Sequence, residues 1–333
     1  MVRILHIGLG PLGRRVLADF VARRMGTVAA AVDLAPDIAG RSVEAVVPGA
    51  GGAVVARDIE ELGDLAAIDC ALVTTSSGLE ACADTFRALL ARGVDVVSSC
   101  EELSYPWLRH RVLAQELHER AVRGGARIVG TGVNPGFVMD TLPVFLSGVC
   151  NEVRRIDVWR IQDASTRRIP FQRKIGAGLD PTAFAAAAAE GTLRHVGLGE
   201  SLHLVANALG FQLDAWDEQL EPVLADRELE CGLGRIARGH AAGVRQVAEG
   251  RADGACVVRL VFQAAIGQPE PHDRVRIDGD PPLDVVLKNG VHGDIATSAV
   301  LLNTIAALRA AAPGLHTTVT LRPAHSRAGS SGS

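Results

Sequence analysis

Over its first 130 residues the chain alternates short, nearly continuous apolar runs with longer stretches of mixed polarity. The runs are "VRILHIGL" (2–9), "TVAAAVD" (27–33), "CALVTTS" (70–76), "VDVVSSC" (94–100) and "ARIVGTG" (126–132). Runs that stay apolar at successive positions suit strands buried on both faces of a parallel sheet. The stretches between them predict helices over 11–25, 79–92 and 106–123. Strand and helix in alternation predict a doubly wound α/β domain.

After residue 140 the pattern changes. "EVRRIDVWRIQDAS" (152–165) alternates like a half-exposed strand, with Val153, Ile156, Val158 and Ile161 among polar neighbours. "PTAFAAAAAEG" (181–191) and "LGESLHLVANALG" (198–210) read as helices that stop at glycine. Residues 254–266 and 273–287 read as long antiparallel strands. "DIATSAVLLNTIAALRAA" (294–311) is a helix with Asp294 at its start and Pro313-Gly314 beyond it. The expected organisation is a doubly wound α/β domain over 1–139 and a mixed α/β domain over 140–293. A C-terminal helix segment, 294–322, then packs back on the first domain. The tail 323–333, rich in Ser and Gly, is expected to be disordered.

Composition narrows the functional classes. A net charge of -4 gives no basic footprint for nucleic acid. No apolar run reaches the roughly 18 residues that a bilayer span needs. The six cysteines are widely spaced, without a CxxC pair, which points to reduced thiols in the cytoplasm and to no metal site.

"IGLGPLGRRV" supplies Gly8-x-Gly10-x-x-Gly13 between a strand and a helix. Gly8 permits the turn, Gly10 admits a pyrophosphate, and Gly13 lets helix and strand pack closely. Asp33 lies twenty residues after Gly13, where a carboxylate takes ribose hydroxyls. This is the Rossmann arrangement for NAD(H), which Asp33 favours. Arg41 leaves NADP(H) open, because it could pair with a 2′-phosphate. Thr74, Thr75, Ser76 and Ser77 stand at the end of the third strand, where hydroxyls meet a cofactor ribose. They serve a plain strand-end turn equally well.

"GTGVNPGFVMD" (130–140) falls at the carboxyl edge of a late strand, where ligands of open α/β sheets bind. Gly132 and Gly136 let backbone approach a planar ring, and Asn134 can hold its amide beside a nicotinamide. A domain-crossing turn would explain the glycines alone. The cofactor-facing set read here is Gly8, Gly10, Pro11, Leu12, Gly13, Asp33, Arg41, Thr75, Ser76, Cys100, Asn134 and Pro135.

"GTGVNPGFVMD", "SSCEELSYPW" (98–107), "HVGLGESLHLVANALG" (195–210) and "GVHGDIATSAVLLNTI" (290–305) occur in this order. On these motifs the chain resembles the 2,4-diaminopentanoate dehydrogenases and native amine dehydrogenases, within the dihydrodipicolinate-reductase-like group. The resemblance implies reversible oxidative deamination of an amine carbon with NAD(P), releasing ammonia, in a homodimer. It also implies a catalytic glutamate in "SSCEELSYPW". Such a carboxylate accepts the amine proton, stabilises an iminium and positions water. Glu101 and Glu102 both qualify: one faces the cleft while the other caps a helix, and Glu102 is the first choice. Substrate-pocket candidates are Tyr105, Phe137, Met139, Trp159, Arg160, His195 and His292. Arg167, Arg168, Arg173 and Lys174 form a basic loop that meets either solvent or a substrate carboxylate. The alternatives are a cyclic-imine reductase and an NAD-binding sensor without turnover.

Overall fold

The apolar runs of the N-terminal third become strands of one sheet. The computed structural model describes residues 1–326. In chain order its elements begin with β1 (Val2–Ile7), α1 (Pro11–Ala22), β2 (Gly26–Val32), α2 (Val43–Val46) and β3 (Val55–Ala56). Next come β4 (Cys70–Val73), α3 (Leu79–Ala91), β5 (Asp95–Ser98), α4 (Arg111–Gly124) and β6 (Arg127–Gly130). Then follow α5 (Thr141–Leu146), β7 (Glu152–Asp163), α6 (Ile169–Lys174), α7 (Pro181–Ala189) and α8 (Leu198–Leu209). β8 (Ala215–Leu224), β9 (Leu229–Cys231), β10 (Gly234–Ile236) and β11 (Ala241–Ala252) lead to β12 (Ala255–Ala265), β13 (His272–Asp280) and β14 (Leu283–Lys288). The chain closes with α9 (Gly293–Arg309) and β15 (Gly314–His316). Residues 323–326 carry no helix or strand, and the rest of the expected disordered tail lies outside the described residues.

Two compact units result: Met1–Phe137 with the segment from His292 onward, and Val138–Val291. The first holds a seven-stranded sheet in the order β15-β6-β5-β4-β1-β2-β3, parallel throughout. The order reverses between β1 and β4, the point at which such sheets open a ligand crevice. Val16, Leu17 and Phe20 of α1 share one buried cluster with Leu301, Leu302, Ile305 and Leu308 of α9. Ser298 also donates to Asp19 Oδ2 at 2.7 Å.

The second unit is a six-stranded mixed sheet, β14-β13-β7-β12-β11-β8. Only β7 and β12 pair in parallel. Residues 273–287, read from sequence as one strand, form the β13–β14 hairpin, broken around Pro281. β7 also departs from its expected face. Opposite β13 the register slips between Asp278/Arg155 and Gly279/Val153, leaving Arg154 as an extra residue. Beyond the slip, Ile156, Val158, Arg160 and Gln162 share the buried face, while Ile161 is only half-buried.

Arg160, a pocket candidate from sequence, lies on this buried face, 1% exposed. Its Nη1 donates to both oxygens of Asp273 at 3.0 Å, and its Nη2 to Val291 O at 3.0 Å. Val291 N donates back to Asp273 at 2.7 Å. Burial pushes the Asp273 carboxyl up, and Arg160 is the main counterweight that keeps the pair ionic. Removing one charge of such a pair strands the other in a poor solvent. Asp273→Asn is expected to cost about 3–5 kcal/mol in urea unfolding. A loss below about 1 kcal/mol would show that the pair is not what holds the end of β7.

His6 is a second buried polar anchor, with no exposed surface, one residue before the end of β1. Its Nε2 meets Gly8 O at 3.1 Å, and its Nδ1 has no partner among the described residues, as suits a neutral ring. Burial holds its pKa down to about 4 from the ordinary 6.5. Between those values the unfolded chain binds a proton that the folded chain refuses. Stability contributed by neutral His6 is thus present above pH 6.5 and is lost as pH falls towards 4, by roughly 3 kcal/mol. Urea titrations at pH 7 and 4.5 should show that loss in the wild type and a smaller one in His6→Gln. Equal losses would assign the acid sensitivity to other groups.

Candidate active site

The phosphate loop is built from positions where side chains do not fit. Gly8 has φ +95°, and a Cβ there would lie 2.9 Å from Thr74 O. A Cβ at Gly13 would lie 1.8 Å from Gly8 O, so α1 packs against the turn only because that atom is missing. Gly10 is the opposite case, with nothing within 4 Å of its would-be Cβ. It opens α1 without a side-chain cap, and Pro11 follows in the first turn. The first amides of α1 thus lack a side-chain partner, the arrangement that helices offer to phosphates. Leu12 turns away and packs on the core beneath.

Asp33, at the end of β2, binds this loop. Its Oδ2 accepts Leu9 N and its Oδ1 accepts Ala35 N at 2.8 Å. Thr74 Oγ1 donates to Gly8 O at 2.8 Å from the end of β4. These strand ends line a cleft of about 530 Å³ whose walls include Gly8, Gly10, Asp33, Leu34, Arg57 and Thr75. Arg41 is not among its lining residues. Its guanidinium donates instead to Asp37 O at 3.5 Å and Ala45 O at 3.2 Å. Ser76 Oγ accepts Gly78 N at 3.2 Å, which makes it a turn former ahead of α3.

The ends of β5 and β6 form the next part of the same sheet edge. Ser98 Oγ donates to Val73 O at 3.0 Å and accepts Cys100 N at 3.1 Å, so β5 leaves the sheet in a fixed turn. The Cys100 thiol is buried and donates to Ser77 O at 3.3 Å, which leaves Cys100 with a structural task. Glu101 and Glu102 begin a short 3-10 turn, Glu101–Ser104. Glu102 N donates to Ser77 O at 3.1 Å. Its Oε2 accepts Leu79 N at 2.8 Å and meets His110 Nε2 at 2.9 Å. Gly78, the N-cap of α3, has no side chain, and Glu102 does its capping from across the sheet edge. His110 Nδ1 in turn lies 3.6 Å from Glu80 Oε1. Tyr105 stacks edge-on against Trp107, with centroids 5.4 Å apart, and burial pushes its phenol up.

From β6 the chain enters the Asn134-Pro135-Gly136 turn, in which the Asn134–Pro135 bond is cis. A Cβ at Gly136 would meet Gly132 N at 2.3 Å, so the two glycines let the turn close on itself. Val133 N donates to Thr297 Oγ1 of α9 at 3.4 Å. Asn134 is 9% exposed, and its Oδ1 has no partner among the described residues. A buried amide oxygen without a donor is costly unless a ligand supplies one. Together with the open cradle at Gly10, it fits a nicotinamide dinucleotide laid along this edge.

The other pocket candidates have other occupations. His292 caps α9, its Nδ1 accepting Ile295 N at 3.4 Å. Phe137 is half-buried and Met139 fully buried. Within the second unit, Trp159 lies under the Arg274 guanidinium, 5.4 Å from its ring centre. His195 exchanges two backbone hydrogen bonds with the Gln246 amide, at 2.9 and 3.0 Å, and packs edge-on against Phe262. The basic stretch is not a loop but α6: Arg168 precedes it, and Arg173 and Lys174 form its last turn. Arg167 lies over the Phe171 ring at 4.2 Å. Arg57 and His110 are the polar residues the sequence did not single out. Neither sits in a motif: the β2–β3 pairing brings Arg57 to this edge, and the turns between β5 and α4 bring His110.

Among the described residues no helix is long and apolar enough to cross a membrane, and no cluster of three His, Cys, Asp or Glu could hold a metal ion. Residues 137–331 match the family described as 2,4-diaminopentanoate dehydrogenase C-terminal domain. A 2,4-diaminopentanoate dehydrogenase from Acetoanaerobium sticklandii is 30% identical over 96% of this chain and 93% of its own. An amine dehydrogenase from Streptomyces virginiae is 28% identical over 83% and 89%. The solved amine dehydrogenase from Mycobacterium smegmatis shares the fold, with a TM-score of 0.85 at 19% identity, covering 98% and 97%. The phosphate loop, the paired glutamates and the Asn-Pro-Gly turn thus sit in a chain that belongs to the 2,4-diaminopentanoate dehydrogenase family.

Proposed function

We propose that this oxidoreductase of CH–NH2 donors converts a primary amine, water and NAD(P)+ into a ketone or aldehyde, ammonia, NAD(P)H and a proton, reversibly. The amine is 2,4-diaminopentanoate-like or a simple alkylamine. The bound nicotinamide supplies the hydride acceptor. Gly10 and the first turn of α1 hold the pyrophosphate, Asp33 the ribose, and the Asn134 side chain the carboxamide. The same reading takes the chain as a cytoplasmic homodimer, on the family likeness and on six cysteines that form no disulfide.

One observation carries the catalytic assignment: the Glu102 carboxylate is committed to Leu79 N and His110. Glu102 is thus a helix-capping and positioning residue, which reverses the preference drawn from sequence. Glu101, its neighbour on the same turn, is the acid/base. In the deaminating direction its carboxylate takes the proton from the substrate ammonium. The neutral nitrogen then releases its lone pair into the forming C=N bond as the hydride leaves carbon. The acid passes that proton to solvent, and the regenerated carboxylate faces the iminium charge, which it stabilises while orienting water for attack on that carbon.

The two carboxylates should separate on mutation. Glu101→Gln is expected to cut kcat for ammonium-dependent NAD(P)H oxidation by about a hundredfold or more, with NADH affinity nearly unchanged. Glu102→Gln should lower the melting temperature, because a charge-assisted cap is lost, and should cost less activity. Normal turnover in Glu101→Gln beside an inactive, fully stable Glu102→Gln would overturn the assignment.

A further inference from the structure

Most of the charged side chains lining the 530 Å³ cleft are already engaged. Asp33 accepts two backbone amides. Asp58 accepts Glu60 N at 3.1 Å. Glu60 pairs with Arg92 at 2.6 Å, and Asp84 with Arg87 at 2.9 Å. Arg57 differs. Its backbone N donates to Glu61 at 3.0 Å, which fixes where its side chain begins. Its exposed guanidinium, however, has no hydrogen bond or ion pair among the described residues.

Its position follows from register. β3 lies beside β2, with Ala56 opposite Val32, and Asp33 N donates to Ala56 O at 3.0 Å. Arg57 and Asp33 are therefore the first residues beyond two adjacent strand ends, one cationic and one anionic. Asp33 retains lone pairs for ribose hydroxyls, but part of its charge is answered by two amides. A phosphate ester on that ribose would meet a guanidinium whose planar fork matches phosphate oxygens.

We propose that Arg57 is the specificity residue that admits a ribose 2′-phosphate, so that the chain accepts NADPH as well as NADH. The inference rests on the dinucleotide reading of the cleft given above. Arg41, which sequence spacing offers for this role, is held by two backbone carbonyls and does not line the cleft.

The test is equilibrium binding without turnover: calorimetric Kd values of NADH, NADPH, 5′-AMP and 2′-phosphoadenosine 5′-phosphate. Wild type, Arg57→Ala and Arg41→Ala are compared. The wild type should bind both reduced dinucleotides. Arg57→Ala should weaken NADPH and 2′-phosphoadenosine 5′-phosphate about tenfold or more, as loss of a charge-assisted bond implies. NADH and 5′-AMP should stay within about twofold, and Arg41→Ala should leave the NADPH-to-NADH ratio alone. Because Arg57 is exposed and partnerless, its melting temperature serves as an unchanged control. An unchanged ratio in Arg57→Ala, a wild type that binds NADH alone, or a loss that follows Arg41→Ala would overturn the proposal. A wild type that binds no dinucleotide would overturn the reading of the cleft itself.

Discussion

The close approach of Gly13 to the carbonyl of Gly8 is the constraint on which the site depends. A Cβ at residue 13 would sit 1.8 Å from that oxygen, so α1 can begin where it does only on glycine. That packing brings the first amides of α1 to the carboxyl ends of β1, β2 and β4. The turn is then held from three sides: His6 and Thr74 bind Gly8 O, and Asp33 binds Leu9 N. Buried hydrogen bonds on fixed strand ends are what allow an exposed loop to keep one shape without a ligand. The shape of the turn is thus set jointly by its glycines and by the strand ends that hold it.

The same sheet edge explains how one of two adjacent glutamates comes to cap a helix. Both leave β5 on one short turn, but α3 begins next to that turn with a glycine at its cap. A helix start without a capping side chain is a standing demand for an acceptor, and Glu102 meets it with help from His110. Once Glu102 is fixed in this way, the turn itself is anchored to α3. The catalytic role assigned to Glu101 depends on that anchor, because a general acid/base works only when its carboxylate is held in place.

The parallel sheet was legible because strands buried on both faces are written as apolar runs: β1, β4, β5 and β6 each fall inside one, and β2 starts one residue ahead of its run. β15 escaped notice because three residues carry no such pattern. β8 and β11 escaped for another reason: their exposed faces are charged ladders, among them Arg245–Glu221 and Arg251–Asp217, which read as polar surface. Arg160 was named for the pocket, but its burial against Asp273 depends on the pairing of β7 with β13, which the sequence does not show. The glycines and Asp33 could be located from spacing alone. The choice between Glu101 and Glu102, and the presence of Arg57, could not be. Both turn on which residue from a distant element stands opposite, and that is decided by strand order and register.

The central claim is that the carbon beside this sheet edge exchanges a nitrogen, not an oxygen. It is tested most directly by incubating the protein with NAD(P)H, a panel of ketones and aldehydes and ¹⁵N-ammonium, and analysing products by mass spectrometry. The account predicts amines carrying one ¹⁵N per NAD(P)H consumed, and no NAD(P)H oxidation without ammonium. Alcohol formed at the same rate with or without ammonium would contradict it.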